Sequence, residues 1–276
     1  MRHSENLAVI GDPVAHSLSP RLQAAAIASA GLDARYVAVR VPAAQLPSFV
    51  SEARSGSFHG FNVTSPHKEA VVRLLDGLGG PAWDLGVVNT VVRSREGLIG
   101  HNTDVIGFQR ALEAVRQAPP WRALVLGAGG AARAVAYALR EMGVSTRISA
   151  RRPGQARELC RVVDGPGELP WDDRLSFAEG CNLIVNATPL GMSHLAEESP
   201  LPAWPQAHHR VAFDLVYGRE TPFLRDAAAA GWTPVNGLEM LVQQGAEAFR
   251  LWFGLEPDLD AMRRACAPKE VPCSAS

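Results

Sequence analysis

Residues 121–137, WRALVLGAGGAARAVAY, decide the fold, because they join a buried-strand signal to a glycine turn and a helix. Ala123, Leu124, Val125 and Leu126 form an apolar run too short for a helix and suited to a strand covered on both faces. Gly127, Gly129 and Ala132 then fit G-x-G-x-x-A. In that pattern the first glycine makes a tight turn, the second lets backbone approach a pyrophosphate, and the third small residue lets helix and strand pack closely. Good helix formers fill 131–142, so free N–H groups and a positive dipole end face the phosphates. A bare glycine turn fits the same letters, but the flanking strand and helix favour a dinucleotide site. Val144–Ser149 reads as the next strand. Where an NAD-binding unit ends that strand in an acid, this chain has Ala150, Arg151 and Arg152. Two guanidiniums there suit the 2′-phosphate of NADP, against the plainer reading of a solvated basic loop.

Composition sets the outer limits. A chain of 276 residues makes one large domain or two modest ones, and two is the expectation. Hydrophobic residues at 47%, charged residues at 20% and a net charge of −1 describe a globular protein with no bulk attraction to nucleic acid or anionic lipid. No apolar run reaches the roughly 18 residues of a membrane span, and 1–6 is polar, so a cytoplasmic protein is expected. The four cysteines, Cys160, Cys181, Cys266 and Cys273, lack a C-x-x-C, and His208 and His209 lie near none of them in sequence; reduced thiols and no metal site are expected. The tail 268–276 lacks periodicity and is expected to fray.

Several polar stretches interrupt the apolar pattern. In GDPVAHSLSP, Ser17 and Ser19 are two residues apart, so an extended segment points both hydroxyls one way, and Pro20 suits the first position of a helix over 21–30. They can hold a carboxylate, or Ser19 can simply cap the helix. In GFNVTSPHK, Asn62 and Thr64 share a strand face, Pro66 is expected to start a helix, and Lys68 falls in its first turn. There the dipole favours deprotonation, which suits proton transfer, although lone lysines are usually solvated. Asn89 and Thr90 interrupt a strand over 87–93, facing either solvent or ligand. Asn102 or Thr103 is placed to cap a helix from Asp104 to Arg116, and Asp104 serves either the helix dipole or catalysis. Ala187, Thr188 and Pro189 follow a buried strand at 183–186, at the carboxyl edge where ligands bind in open α/β sheets. Tyr217 follows another such strand and suits packing or ligand contact equally. The helix 237–253 carries an apolar stripe that must bury, and Gln244 sits beside it.

Taken together, GDPVAHSLSP, GFNVTSPHK, GVVNT, GHNTD, GAGGAARA, NATPLGM, DLVYGRETPFL and GLEMLVQQGAEAF resemble the shikimate dehydrogenases, in order and over nearly the whole chain. The resemblance implies an α/β protein of two domains. Residues 1–104 completed by 237–276 bind substrate, and a Rossmann-type NADP domain over 105–236 is inserted, with the proline-rich QAPPW of 117–121 leading into its first strand. It implies NADPH-dependent reduction of 3-dehydroshikimate to shikimate, by a monomer or homodimer. Ser17 and Ser19 match the carboxylate-binding pair. Thr64, Asn89, Asp104, Tyr217 and Gln244 match substrate-lining positions, and Lys68 with Asp104 match the catalytic pair. The cofactor site is expected at Gly127, Ala128, Gly129, Gly130 and Ala131, with Arg151 and Arg152, and with Ala187, Thr188, Leu215 and Gly237.

Three positions depart from the family's usual pattern. Gln23 and Ala24 replace a His-Asn pair, Ala150-Arg151-Arg152 replaces Asn-Arg-Thr, and Pro189 replaces a serine. Two other readings stay open: a broader quinate/shikimate dehydrogenase, including use of NAD, and a non-catalytic dinucleotide sensor of the same fold.

Overall fold

The short apolar runs of the sequence assemble into two six-stranded sheets in the computed structural model, which describes residues 5–115, 121–152, 154–192 and 195–267. The first sheet holds β1 (Glu5–Gly11), β2 (Ala34–Arg40), β3 (Gly60–Val63), β4 (Gly77–Leu78), β5 (Thr90–Ser94) and β6 (Gly97–His101), in the order β2-β1-β3-β5-β6-β4. It is mixed: β1 runs parallel to β2 and β3, whereas β5 is antiparallel to both of its neighbours. The second sheet holds β7 (Arg122–Leu126), β8 (Ser145–Ser149), β9 (Gly167–Leu169), β10 (Leu183–Asn186), β11 (Val211–Asp214) and β12 (Thr233–Val235). Its order β12-β11-β10-β7-β8-β9 is parallel throughout, which is the doubly wound order of a dinucleotide fold. The order reverses between β7 and β10, so their carboxyl ends open the crevice where a ligand binds.

Among the described residues ten α-helices cover the sheets: α1 (Ser19–Ser29), α2 (Leu46–Glu52), α3 (Pro81–Leu85), α4 (Asp104–Glu113), α5 (Gly130–Glu141), α6 (Gln155–Val163), α7 (Arg174–Ala178), α8 (Pro222–Ala229), α9 (Leu238–Phe253) and α10 (Leu259–Cys266). The apolar stripe of α9 buries Leu241, Val242, Ala246, Phe249 and Trp252 against Leu7, Val9, Leu22, Ala26 and Tyr36 of the first sheet and α1. Each large side chain buried there contributes roughly 1.5–3 kcal/mol. Thus α9, late in the chain, packs on the sheet that the first strands of the chain build. Helix α4 lies between the halves: it packs on α9, and its Phe108 ring sits 5.0 Å from that of Phe213 in β11. Gly107 permits the crossing, because a Cβ there would lie 2.7 Å from Gln244 Cβ and 2.9 Å from the Met240 carbonyl oxygen.

Some expectations shift. Residues 43–57 form a broken helix, a 3-10 turn at Ala43–Gln45, then α2, then a π turn at Ala53–Ser57. The strand expected over 87–93 begins only at Thr90, since Asn89 turns its side chain into a polar cluster. Strands β4, β9 and β12 have two or three residues, too few for a periodicity to register. Helix α10 is an addition to the elements expected from the sequence; Arg263 holds it to α9 by two hydrogen bonds to Glu239, at 2.7 and 3.0 Å. Helix α4 is assigned only to Glu113, while Arg116, most of QAPPW and the tail 268–276 lie outside the described residues. Among the described residues no helix is long and apolar enough to cross a membrane.

Candidate active site

The serine motif folds differently from the extended segment expected of it. Leu18 is already helical (φ −80°, ψ −9°), Ser19 is the first residue of α1, and Pro20 stands second. Ser17 rather than Ser19 acts as the local cap, its Oγ accepting the Ser19 N–H at 3.2 Å. Both side chains nevertheless line one cavity of about 170 Å³.

Lys68 requires a larger correction. No helix starts at Pro66; residues 64–69 are a turn, and only a 3-10 segment follows, at Ala70–Leu74. The turn closes on itself through His67 N–H to the Thr64 carbonyl at 3.0 Å and Val71 N–H to the His67 carbonyl at 2.9 Å, but the Lys68 carbonyl accepts from Val88 N–H at 2.9 Å instead of from a residue four further on. Lys68 therefore stands in a turn, outside any helix whose dipole could act on it in the way expected. Its Nζ instead donates to Asp104 Oδ2 at 2.6 Å, with the two side chains 19% and 9% exposed. Its methylenes lie beside the start of α5: a Cβ on Gly130 would be 3.5 Å from Lys68 Cδ.

Asp104 is held from both sides. Asn102 Oδ1 accepts its N–H at 3.1 Å at the start of α4, and Asn89 Nδ2 donates to its Oδ1 at 2.8 Å. Thr103, the other candidate cap, instead donates its N–H to Asn89 Oδ1 at 2.7 Å. Asn62, to which the sequence reading gave no role, also lines the cavity. Its amide donates to the Asn89 carbonyl at 3.0 Å and to Thr90 Oγ1 at 2.9 Å, while Tyr36 Oη donates to its Oδ1 at 2.6 Å. Its period-two spacing from Thr64 was the signal that could have found it. Burial drives the Tyr36 phenol well above its ordinary pKa, against the pull of a hydrogen bond with Ser19.

Thr64, Asn89, Asp104, Tyr217 and Gln244 all face the same cavity, as do Ala131, Leu215 and Gly237 from the cofactor set. Burial also raises the Tyr217 pKa, helped by Cys266 and opposed by a hydrogen bond with Ser17. Gln244 is buried, with Nε2 bonded to the Leu241 carbonyl at 2.8 Å. Met240 and Leu241 supply an apolar wall. Gln23, the departure in the serine motif, anchors α1 by donating to the Gly245 carbonyl at 2.9 Å.

The residues expected at the dinucleotide fit such a group. Gly127 takes φ +114°, and a Cβ there would meet the Ala187 carbonyl oxygen at 2.7 Å, so the turn after β7 lies directly on the segment after β10. Ala128, Gly129 and Gly130 follow it. A Cβ on Gly129 would meet nothing within 4 Å, and no side chain caps α5, which leaves room and free N–H groups for phosphate. Arg151 and Arg152 are exposed beyond β8, Arg152 bonding Gln155 at 2.9 Å. Thr188 differs from expectation in one respect: its hydroxyl turns inward to Asn186 Oδ1 at 2.7 Å. A wider surface depression of about 600 Å³ around Arg122, Leu169, Phe177 and Gly180 is lined by none of these groups.

Fold and site together define a two-domain α/β dehydrogenase, with a doubly wound dinucleotide sheet and a polar substrate cavity beside its carboxyl edge. Residues 9–91 match the shikimate dehydrogenase substrate binding domain, and residues 237–266 match the shikimate 5′-dehydrogenase C-terminal domain. The shikimate dehydrogenase (NADP(+)) of Thermus thermophilus is 45% identical over 259 residues, covering 94% of this chain and 96% of the relative. The crystal structure of shikimate 5-dehydrogenase from the same organism in complex with NADP(H) and shikimate superposes with a TM-score of 0.85 at 43% identity, covering 95% of this chain and 98% of that one. Quinate dehydrogenase from Corynebacterium glutamicum in complex with NAD superposes with a TM-score of 0.86 at 32% identity, covering 95% and 98%. This chain belongs to the shikimate dehydrogenase family.

Proposed function

We infer that this chain catalyses the reversible, NADPH-dependent reduction of 3-dehydroshikimate to shikimate, in the pathway to the aromatic amino acids. The observation that carries the reading is the Lys68–Asp104 pair, 2.6 Å apart, inside a cavity whose other polar walls are Ser17, Ser19, Asn62, Thr64, Asn89, Tyr217 and Gln244. A small polyhydroxylated acid needs such a set of donors and acceptors to be oriented. Gly127 to Ala131, Arg151, Arg152, Ala187, Thr188, Leu215 and Gly237 hold NADP, which supplies or accepts the hydride at C3. Ser17 and Ser19 bind the substrate carboxylate. Lys68 faces the C3 oxygen, where it gives a proton to the developing alkoxide and holds its charge. Asp104, fixed by Asn89 and Asn102, aims the lysine and bonds a substrate hydroxyl.

Residues 1–104 with 237–276 act as the substrate domain and 105–236 as the NADP domain. The same proposal has the chain working in the cytoplasm as a monomer or homodimer, which cell fractionation and size-exclusion chromatography test. The likeness to a quinate dehydrogenase supports a second reading, a broader enzyme that also takes quinate or NAD. Arg151 and Arg152 weigh against NAD. Oxidation of shikimate and of quinate, each with NADP+ and with NAD+, followed by absorbance of the reduced nicotinamide, separates the two readings. Activity confined to shikimate with NADP+ is expected. Silence in all four mixtures with NADP+ still bound would make the chain a sensor.

A further inference from the structure

Asp214 ends β11 with its carboxylate fully buried, and its partners are three hydrogen-bond donors, one at the end of β10 and two in the connection from β11 to α8, rather than a cation. Asn186 Nδ2 donates to Oδ1 at 2.9 Å, the Val216 N–H to Oδ1 at 3.0 Å, and Thr221 Oγ1 to Oδ2 at 2.6 Å. Two of these partners carry the connection onward. Asn186 ends β10, and its Oδ1 accepts the backbone N–H of Thr188 at 3.0 Å and the Thr188 hydroxyl at 2.7 Å. Its second amide hydrogen goes to the Leu190 carbonyl at 3.1 Å. Thr221 in turn caps α8 by accepting the Leu224 N–H at 3.3 Å. The chain Thr188–Asn186–Asp214–Thr221 thus crosses the carboxyl edge of the sheet beneath the active site.

Three convergent donors explain why the position is acidic. A carboxylate accepts through both oxygens, so one group satisfies them all, whereas an apolar residue would strand every one of them away from water. Burial pushes the Asp214 pKa up to about 6 even against those donors, so the group is retained at an electrostatic disadvantage. What it ties together is functional ground. The segment after β10 bears Ala187 and Thr188 and lies on the Gly127 turn; the segment after β11 bears Leu215 and Tyr217, which line the cavity.

We propose that Asp214 is a positioning residue for hydride transfer, fixing the cofactor-side segment after β10 against the substrate-side segment after β11 so that both ligand sites depend on one anchor. The inference rests on the proposed function for which segment faces which ligand. It distinguishes two substitutions of similar size. In Asp214→Asn the amide oxygen can still accept from Asn186 and Val216, and its NH2 can donate to the Thr221 hydroxyl, which has a second lone pair free. In Asp214→Ala the side-chain links are gone and only the backbone bond from Leu215 N–H to the Asn186 carbonyl, 3.0 Å, joins the two segments directly.

The test uses the full chain, with dissociation constants for NADP+ and for shikimate measured by titration calorimetry well below the thermal midpoint of each variant, alongside kcat and KM. Asp214→Ala is expected to weaken both ligands about tenfold or more and to lower kcat, while Asp214→Asn stays within about threefold of wild type on every parameter. Thr221→Val is expected to weaken both ligands by a smaller factor, with Thr221→Ser restoring them; this pair decides the matter should Asp214→Ala fail to fold. A variant that loses thermal stability but keeps both affinities and kcat, or loses only one ligand, overturns the proposal. So does an Asp214→Asn as impaired as Asp214→Ala. A wild type that binds both ligands without turnover sinks the functional reading alone, because the calorimetric comparison still stands.

Discussion

Gly107→Ala sets two effects of known size against each other. Alanine in a helix interior is favoured over glycine by roughly 0.5–1 kcal/mol. Against that, the new methyl would stand 2.7 Å from Gln244 Cβ, 2.9 Å from the Met240 carbonyl oxygen and 3.0 Å from Gln244 N. Carbon atoms in contact prefer about 3.5–4.0 Å, so α4 and α9 must part by about 1 Å. Two of the three obstacles are backbone, which cannot swing aside as a flexible side chain would. Overpacking of this kind costs about 1–3 kcal/mol. The clash wins, leaving a net loss of about 1–2 kcal/mol and a thermal midpoint lower by about 2–8 °C. The same parting moves Gln244 and Asp104 away from each other across the cavity, so KM for shikimate is expected to rise about tenfold. Thermal unfolding followed by circular dichroism and steady-state shikimate oxidation measure the two effects. A midpoint equal to or above wild type with unchanged KM would refute the reasoning, since it would mean the crossing has slack.

Lys68→Ala is expected to lower kcat by about 10²–10⁴ while changing KM for shikimate far less, because the lysine acts mainly in the transition state; equal turnover would remove it from the mechanism. Replacing Arg151 and Arg152 together by alanine should raise KM for NADP+ by about 10² and leave that for NAD+ nearly unchanged, and a parallel rise for both cofactors would count against a 2′-phosphate role. Asp214 makes a pH prediction. Its folded pKa, raised by burial to about 6, stands above the ordinary aspartate value of 3.8, so the stability it lends is full below about pH 4 and is lost as pH rises through about 6. That is about 3 kcal/mol at most. Wild type should therefore lose stability relative to Asp214→Asn across that window in urea unfolding, and a constant difference from about pH 4 to 7 would contradict the assignment.

The parts of the fold legible in the sequence were those written by local chemistry. The GAGG turn, the continuous apolar strands at 123–126 and 183–186 and the stripe of α9 each need only neighbouring residues to declare themselves. Lys68 shows where that fails: Pro66 signals a helix start, but the Lys68 carbonyl is claimed by Val88, twenty residues away in the chain. Asn62 and Tyr36 stayed hidden for a related reason. Period-two spacing from Thr64 puts Asn62 on the cavity face, but its bonds to Tyr36 and Thr90 come from a meeting of β2, β3 and β5 that no spacing within one strand records. Asp214 closes a buried strand, and its meaning lies in Asn186 and Thr221, which only the fold brings to it.

The anchoring of α1 bears on how substrate length is judged. Gln23 lies one helical turn after Ser19 and bonds Gly245, which adjoins Gln244. On the proposed assignment, Ser19 grips the acid end of the substrate and Gln244 a hydroxyl further along. The gap between them is thus set like the jaws of a caliper by how two core helices dock, not by any loop. Re-gauging this enzyme for a longer or shorter acid would mean redesigning the α1–α9 seam, and loop exchanges around the cleft would leave that measurement untouched.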